Sequence, residues 1–425
     1  MNSINNWDWN TGRRMIADIG EWKTRYQWVE EPYVSPDGEK IAAVVKLPDD
    51  EVFTICENGA LWESTFDKVW YPRFSPDGKL TALVSETGEW SLAIDGQTPE
   101  EKFEFAWDTR FSPDGRNIIY MAQRERKYFA VINNAPWETG FPSMTGLVIS
   151  NDGRRAAAAV QTVPFKEAEI FKFQDGCYSV AVDGSAWNRN FVNVWDVAFS
   201  PDGKRVAAGV RTSLYDYTVA VDGVPWEKSF ASVWEPQFCP FDDSVTAPVR
   251  SAGSWFLAKD GKILWDRKFV QLWQHIYSPD GKKIAAIVAP AFGRWTIAVD
   301  GNPWQITFGD MVTGAVFSPD GKRVACLGKE NEKWTVIVDG NRWDSYDMAW
   351  QPVFSPDGKN VAAKVEKNGR YTIVVNGKPL KDEFAAAWDP VFSPDSDKIL
   401  IKAIETGNNE NKHFRRVMPV TDIAG

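Results

Sequence analysis

The sequence predicts an all-β fold, a β-propeller of ten four-stranded blades in one ring. Three observations support this prediction. The turn motif Ser-Pro-Asp-Gly recurs at intervals of about 39 residues, a second turn motif follows most copies, and no segment shows the apolar spacing of a helix. Intact copies of the first motif begin at Ser35, Ser75, Ser112, Ser200, Ser278, Ser318 and Ser355. Degenerate copies of the motif begin at Ser150, Cys239 and Ser393.

The Ser-Pro-Asp-Gly motif predicts a tight turn between two strands, called a and b here. Proline fixes φ at the first central position, aspartate bonds back to the nearby backbone, and glycine takes the positive φ that closes the turn. Short apolar runs flank the motif, for example residues 72–74 before one copy and residues 206–210 after another. Each copy therefore indicates a hairpin.

A second turn motif, Asp-Gly or Asn-Gly, ends a third strand, c. These pairs begin at Asp95, Asp183, Asp222, Asp300, Asp339 and Asn376. Both residues of such a pair tolerate positive φ, which favours a two-residue hairpin. A Pro-Trp pair often follows and begins the outermost strand, d. Four antiparallel strands per repeat form the blade of a propeller, and neighbouring blades must stack to bury their faces.

The two ends of the chain are expected to close the ring together. The last repeat has strands a, b and c, but no Asp-Gly-x-Pro-Trp follows to supply strand d. Residues 13–30, and 21–26 in particular, have the pattern of an unattached strand d. We therefore expect this segment to complete the last blade within a single domain, residues 1–425.

Two further features bear on the architecture. Propellers usually have about four to eight blades, so two five-bladed propellers are the alternative to one ring. The one long interval between motifs, around residues 163–176, predicts an insertion between strands b and c of the fourth blade.

Charge and terminal sequence limit the possible partners and compartment. The formal net charge is −10, which argues against nucleic acid and anionic membranes as partners because basic patches supply most of that affinity. A basic partner protein remains open. Residues 1–9 lack the charged start and apolar stretch of a signal peptide, and no later segment approaches the roughly 18 apolar residues of a membrane span. We expect a cytoplasmic protein.

The 22 tryptophans and other aromatic residues fall into three columns in the repeat. The first column lies on strand c, and we expect it to pack between blades. Its members are Phe53, Trp90, Tyr128, Tyr178, Tyr217, Trp255, Trp295, Trp334, Tyr371 and Phe414. The second column follows the strand c turn and is expected to cover the blade edge, against strand c or the next blade. Its members are Trp22, Trp62, Trp137, Trp187, Trp226, Trp265, Trp304 and Trp343.

The third column is the candidate binding surface. It stands five residues before the motif serine, where strand a begins, and includes Trp70, Trp107, Trp195, Trp234, Trp273, Trp350 and Trp388. The next residue is usually polar: Asp108, Asp196, Glu235, Asp389, Gln274 or Gln351. Aromatic anchors inside a polar rim are typical of interface hot spots. The alternative is that these rings wedge between blades. Thr145 and Thr313 interrupt the column and predict a gap in it.

We predict no catalytic residue, no metal site and no cofactor. Two histidines, His275 and His413, are too few for most acid–base or metal machinery, and His275 is expected to be a hydrogen-bonded core residue. Nucleophile-elbow, zinc-protease and phosphate-loop motifs do not occur in the sequence. The four cysteines lie in different repeats without Cys-x-x-Cys spacing, so no zinc or iron–sulfur site is expected.

The repeat resembles a known family. The unit Phe-Ser-Pro-Asp-Gly-Lys at residues 74–79, 199–204, 317–322 and 354–359 is similar to the WD40-like repeat of TolB-type propellers. The added Asp-Gly-x-Pro-Trp at residues 222–226 and 300–304 looks like the tryptophan-rich D subunits of Tmc-type transmembrane redox complexes of sulfate-reducing bacteria. That resemblance implies a cytoplasmic accessory subunit, peripheral to the inner membrane through cytochrome and iron–sulfur partner subunits.

Three functions are consistent with the sequence. The first is a non-catalytic interaction scaffold, not an enzyme, within a membrane-associated electron-transfer complex. The second is a propeller that binds a small molecule or glycan, or carries an enzyme site, in its channel, where abundant carboxylates leave a glycosidase-like pair open. The third is a propeller that captures a peptide at an outer edge.

Overall fold

The computed structural model describes residues 3–48, 51–165, 169–407 and 411–424. This part of the chain is all-β, as predicted, and its strands form small antiparallel meanders. Hydrogen-bond pairing gives nine sheets, and the largest contains two meanders joined at Tyr371 and Phe384. We therefore count ten meanders, called sheets 1 to 10 in chain order.

The strands of the ten sheets keep the letters a to d. Strands a are Trp28–Val29 with Tyr33–Val34, Lys68–Phe74, Phe105–Phe111, Met144–Ile149, Asn193–Phe199, Ser232–Val233 with Gln237–Phe238, Gln271–Tyr277, Met311–Phe317, Met348–Ala349 with Val353–Phe354, and Phe384–Ala387 with Val391–Phe392. Strands b are Ile41–Lys46, Leu80–Glu86, Ile118–Arg124, Ala156–Gln161, Val206–Arg211, Val245–Ser251, Ile284–Ala291, Val324–Glu330, Val361–Lys367 and Lys398–Glu405. Strands c are Phe53–Glu57, Glu89–Ile94, Lys127–Ile132, Tyr178–Val182, Tyr217–Val221, Ser254–Lys259, Arg294–Val299, Lys333–Val338, Arg370–Val375 and Lys412–Pro419.

Strand d is the outermost strand and is often only two residues long. These strands are Ala60–Leu61, Ala135–Pro136, Ser185–Ala186, Val224–Pro225, Lys262–Phe269, Asn302–Pro303, Asn341–Tyr346, Lys378–Pro379 and, for sheet 10, Gly12–Asp18. Sheet 2 departs from the predicted four strands, because after strand c it has only a bridge between Ile94 and Gln97.

Each sheet has two distinct ends. The a–b and c–d turns lie at one end, called the turn end. The start of strand a and the b–c connection lie at the other, called the strand-a end. The order a-b-c-d across each antiparallel sheet requires this arrangement.

The Ser-Pro-Asp-Gly turns are held by the motif's own side chains. In sheet 5, the buried Ser200 hydroxyl donates to Asp202 Oδ1 at 2.7 Å and accepts from the Arg205 N–H at 2.9 Å. At the c–d turn, the Asp222 carboxylate accepts from the Val206 N–H at 2.8 Å, which ties this turn to the start of strand b. Both turns are thus locally encoded, and the predicted hairpins are confirmed.

The second aromatic column packs between neighbouring sheets, as predicted. Trp187, on the outer edge of sheet 4, lies against the c–d turn of sheet 5, where Gly223 has φ 82°. A Cβ built at Gly223 would lie 3.4 Å from Trp187 Cβ. Because this distance is an ordinary van der Waals contact, the turn favours glycine for its backbone conformation alone.

A further aromatic residue near the start of strand a is buried in every sheet. These residues are Tyr26, Phe66, Phe103, Phe141, Phe191, Phe230, Phe269, Phe308, Tyr346 and Phe384. In sheet 5, Phe230 bridges Tyr217 on strand c and so finishes the outer strand. The sequence analysis missed this column, although it is the most fully buried of the aromatic columns.

The described residues also form four short helices. They are Ser3–Asn6, a 3-10 helix, and the α-helices Ile19–Arg25, Ile170–Asp175 and Thr421–Ala424. The helix Ile170–Asp175 lies between strands b and c of sheet 4, inside the segment 163–176 predicted as an insertion. Residues 166–168 of that segment lie outside the described residues.

The prediction that residues 21–26 form a strand is wrong. Residues Ile19–Arg25 form an α-helix, with Asp18 as N-cap accepting from the Gly20 N–H at 2.9 Å. Trp22 lies on the buried side of this helix and belongs to the hydrophobic cluster that contains Ile41 and Val45 of sheet 1. A capping aspartate and apolar residues at helical spacing favour a helix here, although the segment resembles strand d of the other repeats.

The N-terminal strand pairs with the C-terminal one immediately before this helix. Gly12–Asp18 runs antiparallel to Lys412–Pro419, with Gly12 opposite Val417 and Asp18 opposite Lys412. It supplies the strand d that the last repeat lacks.

Backbone contacts divide the chain into two compact units. Unit 1 comprises Met1–Lys102 and Phe308–Gly425, and unit 2 comprises Phe103–Thr307. Sheets 1, 2, 8, 9 and 10 belong to unit 1, and sheets 3 to 7 belong to unit 2. The single closed ring, and its alternative of two five-bladed propellers, stay predictions.

Candidate functional site

The third-column tryptophans lie near the start of strand a, just before a break in its pairing. In sheets 3 and 5 the strand bulges after Trp107 and Trp195, and the next residues, Asp108 and Asp196, have φ of 56° and 50°. Trp-x-Pro occurs in sheets 2, 6, 9 and 10, and strand a is split into two short strands in sheets 6, 9 and 10 but is continuous in sheet 2. Since a bulge or a proline turns the chain locally, both devices set the direction of the residue after the tryptophan.

None of the seven third-column tryptophans is fully buried. Trp70 is 55% exposed and Trp234 is 40% exposed. The others are half-buried: Trp107, Trp195, Trp273, Trp350 and Trp388. Part of every ring therefore reaches solvent, and the binding role of these residues stays a prediction.

Each of these tryptophans packs on an aromatic or imidazole ring of strand c in its own sheet. Trp234 stacks on Trp255 with ring centroids 5.7 Å apart and an interplanar angle of 11°. The corresponding pairs are Trp70–Trp90, Trp107–Tyr128, Trp195–Tyr217, Trp273–Trp295, Trp350–Tyr371 and Trp388–His413. The first and third columns thus support each other across strand b, which fixes the orientation of the partly exposed rings.

In sheet 10, the residue at the first-column position is His413. The prediction that Phe414 occupies this position is wrong. His413 pairs with Ile404 of strand b and its ring lies 5.4 Å from that of Trp388. Burial lowers the pKa of His413 to about 4. The assignment failed by one residue because strand c of this sheet has no Asp-Gly turn from which to count.

Sheet 1 interrupts the column in a way that the sequence analysis missed. Glu30 occupies the third-column position, and its N–H donates to the carbonyl of Val44 on strand b. Trp28, two residues earlier, packs against Phe53 of strand c instead, with centroids 6.3 Å apart. The sequence did contain an indication of this interruption, because Phe53 is a first-column residue whose repeat has no third-column tryptophan.

The polar residues that follow the tryptophans divide into separate groups. In unit 2, burial raises the pKa of Glu235 and the nearby Asp196 raises it further, while Glu235 accepts a hydrogen bond from the Gln274 N–H. Burial also raises the pKa of Asp196, although its side chain reaches solvent. The hydrogen bond therefore links sheets 6 and 7, while Asp196 of sheet 5 acts on Glu235 only through repulsion of like charges.

The other carboxylates of the predicted site have cationic partners. Asp108 pairs with Arg110 of its own strand at 3.1 Å. In unit 1, Asp389 lies 3.7 Å from Lys364 Nζ of sheet 9, and that ammonium also lies 4.1 Å from the Trp350 ring centroid. The carboxylates thus differ in their partners, and their role as a polar rim stays a prediction.

The strand-a end also carries exposed aromatic residues that were not predicted. In unit 2, Tyr215 and Phe292 lie on b–c connections and are 83% and 92% exposed. Phe171, on the helix inserted in sheet 4, is 77% exposed. A repeat-based search misses them because these connections differ in length and sequence between repeats.

Buried polar groups elsewhere belong to the core. His275 is fully buried, its Nε2 lies 2.9 Å from the Thr246 hydroxyl, and burial lowers its pKa to about 3. Within the described residues, no group of three or more His, Cys, Asp or Glu side chains is arranged to hold a metal ion. No helix in the described part of the chain has the length and apolarity of a membrane span.

Comparisons with known proteins concern the repeat and the fold. Residues 188–221 match the family WD domain, G-beta repeat, which confirms a WD40-like repeat there. These residues comprise the end of sheet 4 and strands a, b and c of sheet 5. TolB from Acinetobacter baumannii is similar at 14% sequence identity with a TM-score of 0.30, over 73% of this chain and 78% of that chain. No curated protein matches the chain.

Proposed function

We propose that this protein is a non-catalytic interaction scaffold that binds a partner protein through the strand-a end of its sheets. The rings at this end are held in place by the sheets beneath them, so they present a preorganised surface. Preorganised aromatic anchors lose little side-chain entropy on binding, which favours affinity.

The observation that supports this proposal is the uneven distribution of exposed large apolar side chains. At the strand-a end these are Trp28, Trp70, Tyr71, Phe105, Ile170, Phe171, Tyr215, Trp234, Val270, Phe292 and Met311. The outer strands expose Met15, Val224 and Leu264, and the turn end exposes Phe241. Exposed large apolar side chains concentrated at one end of the sheets are typical of an interaction site.

The finer parts of the proposal have narrower support. We propose a cytoplasmic accessory subunit of a membrane-associated electron-transfer complex, with cytochrome and iron–sulfur subunits as partners, supported by the Asp-Gly-x-Pro-Trp resemblance alone. We also propose one ring of ten blades in a single domain. Its support is the regular repeat spacing and the pairing of Gly12–Asp18 with Lys412–Pro419. Small-angle scattering would distinguish one disc from two.

The binding proposal is tested by alanine substitutions at the two ends of the sheets. We compare Tyr215→Ala/Phe292→Ala and Trp234→Ala with Phe241→Ala, a control residue that is 81% exposed at the turn end. Hot-spot truncation costs about 2 kcal/mol or more, roughly a thirtyfold loss of affinity. We expect the strand-a end variants to lose the native associates of the protein in quantitative affinity purification, while Phe241→Ala retains them.

Thermal melting provides the necessary control, because all these side chains are at least 40% exposed and their removal is expected to leave the fold intact. Equal recovery of the associates with every variant would contradict the proposal.

A further inference from the structure

We propose that the strand-a end of sheets 1 and 2 binds a lysine- and arginine-rich segment of the partner protein. This inference rests on the proposed function and specifies the partner chemistry at one part of the surface. The binding surface, called the acidic aromatic patch, consists of Trp28, Trp70, Tyr71, Glu30 and Glu31.

The aromatic part of the patch is exposed and firmly supported. Trp28, Trp70 and Tyr71 are 47%, 55% and 56% exposed. Trp70 rests on Trp90 with centroids 4.5 Å apart, and Trp28 packs on Phe53. Because supporting rings lie beneath them, the two indoles are held in position with much of their surface accessible.

The charged part of the patch consists of two neighbouring carboxylates. The cations around them are Lys364, and Lys68 and Arg73 beside the rings. Burial lowers the pKa of Lys364, and the charge of Glu31 opposes that lowering. Neither Glu30 nor Glu31 forms an ion pair with a residue that the structure describes. Burial raises the pKa of Glu30, and the charge of Glu31 raises it further. A cation bound between these two carboxylates would relieve their mutual repulsion.

The net negative charge of the chain is concentrated in the unit that carries the patch. Unit 2 contains as many Lys and Arg as Asp and Glu residues, so the formal net charge of −10 falls on unit 1. Most of it lies in residues 1–102, the segment that forms sheets 1 and 2. An excess of negative charge in this segment favours the approach of a basic partner and disfavours nucleic acid and anionic membranes.

The exposed rings already contact cations within the protein. Lys68 Nζ lies 5.9 Å from the Trp70 ring centroid, and the Arg73 guanidinium lies 5.3 Å from that of Tyr71. These contacts are of the type by which aromatic rings attract ammonium and guanidinium groups. The patch therefore combines two chemistries that recognise a basic side chain, a π-face and a carboxylate.

A pocket beside the patch provides space for such a side chain. Its volume is about 330 Å³, and its walls include Tyr33, Tyr71, Arg73 and Trp388. Glu30 and Glu31 both contribute to raising the pKa of Tyr33, after burial, so their charges act at the pocket wall. The aliphatic stem of a lysine or arginine can pack on these rings while its charge faces the carboxylates.

The test measures binding of fluorescein-labelled hexa-arginine to the full chain by fluorescence anisotropy at two salt concentrations, with labelled hexaglutamate as the opposite-charge probe. We expect hexa-arginine to bind, more weakly at higher salt, and hexaglutamate not to bind. Glu30→Gln/Glu31→Gln and Trp70→Ala are each expected to weaken binding by about fivefold, a size reasonable for losing charge or cation–π contacts.

The matched control is Glu138→Gln/Glu227→Gln, which removes two exposed carboxylates from the outer edges of sheets 3 and 5 in unit 2. We expect it to bind hexa-arginine like the unmodified chain. If the control weakens hexa-arginine binding equally, the peptide binds to net charge alone and the inference is overturned. Unchanged binding of hexa-arginine by Glu30→Gln/Glu31→Gln would also overturn it.

Failure here is distinguishable from failure of the proposed function. Suppose that Tyr215→Ala/Phe292→Ala loses the native associates, whereas Glu30→Gln/Glu31→Gln still binds the native associates and hexa-arginine. In that case only the basic-partner inference is wrong. If every strand-a end variant retains the associates, the proposed function itself is wrong.

Discussion

Replacing Gly209 with alanine is expected to displace a candidate binding residue, Trp195, which is itself left unsubstituted. Gly209 lies on strand b of sheet 5, opposite Trp195 of strand a. A Cβ at Gly209 would lie 2.5 Å from Trp195 Nε1 and 2.7 Å from Cε2. The indole must therefore move and lose its contact with Tyr217, whose ring centroid lies 5.9 Å away.

The expected size of the effect follows from three contributions. Overpacking costs about 1–3 kcal/mol and the lost aromatic pair about 0.5–1.5 kcal/mol, while alanine is favoured over glycine in a strand by about 0.5–1 kcal/mol. Because these contributions overlap, we expect Gly209→Ala to lower the free energy of unfolding by about 1–2 kcal/mol.

Sheet 4 supplies a natural control for this pair. There Thr145 faces Ala159 at the equivalent positions. In a Trp195→Thr background the clash no longer exists, so Gly209→Ala should raise the free energy of unfolding by about 0.5–1 kcal/mol. The same substitution thus changes sign between the two backgrounds.

Urea unfolding followed by far-ultraviolet circular dichroism measures all four free energies of this cycle. Near-ultraviolet circular dichroism reports the displacement of the indole. If Gly209→Ala stabilises the protein equally in both backgrounds, Trp195 does not lie over Gly209 and the pairing of the two aromatic columns is refuted.

Two further predictions concern the core. Phe191→Ala should lower the free energy of unfolding by about 3–5 kcal/mol in urea titrations, because Phe191 is 2% exposed, and the same truncation of Trp234 should have a much smaller effect. Burial lowers the pKa of His275 to about 3 from an ordinary 6.5, so the unfolded state binds a proton first and stability should fall as the pH drops below about 6.5. Urea midpoints at pH 7 and pH 5 should therefore differ less in His275→Gln than in the unmodified chain, and an equal pH dependence would contradict this assignment.

The repeating strands and turns could be predicted because their causes are local. Ser200, Asp202 and Asp222 hold their turns through contacts within a few residues or to the adjacent strand, so a short motif encodes them. The N-terminal strand was misplaced for the same reason. Asp18 is the N-cap of a helix there. The prediction compared this segment only with the strands of other repeats and did not consider a helix cap.

Exposure of the candidate site could not be predicted from the sequence. Trp137 is 7% exposed and Trp70 is 55% exposed, yet both are tryptophans at regular positions in the repeat. Their difference depends on which ring or turn lies above each, which is set by neighbouring strands and sheets. The position of the third column was therefore predictable, while the support of its rings by strand c was not.

The pairing of Gly12–Asp18 with Lys412–Pro419 constrains how the protein emerges from the ribosome. The first of these strands has no partner until Lys412–Pro419, which follows unit 2 in the sequence, has been translated. Unit 2, residues Phe103–Thr307, is continuous in sequence and can acquire its structure while synthesis continues. Unit 1 is assembled from two segments that flank unit 2, so it is completed only after unit 2 has been synthesised, and the nascent strand Gly12–Asp18 must avoid other unpaired strand edges until then.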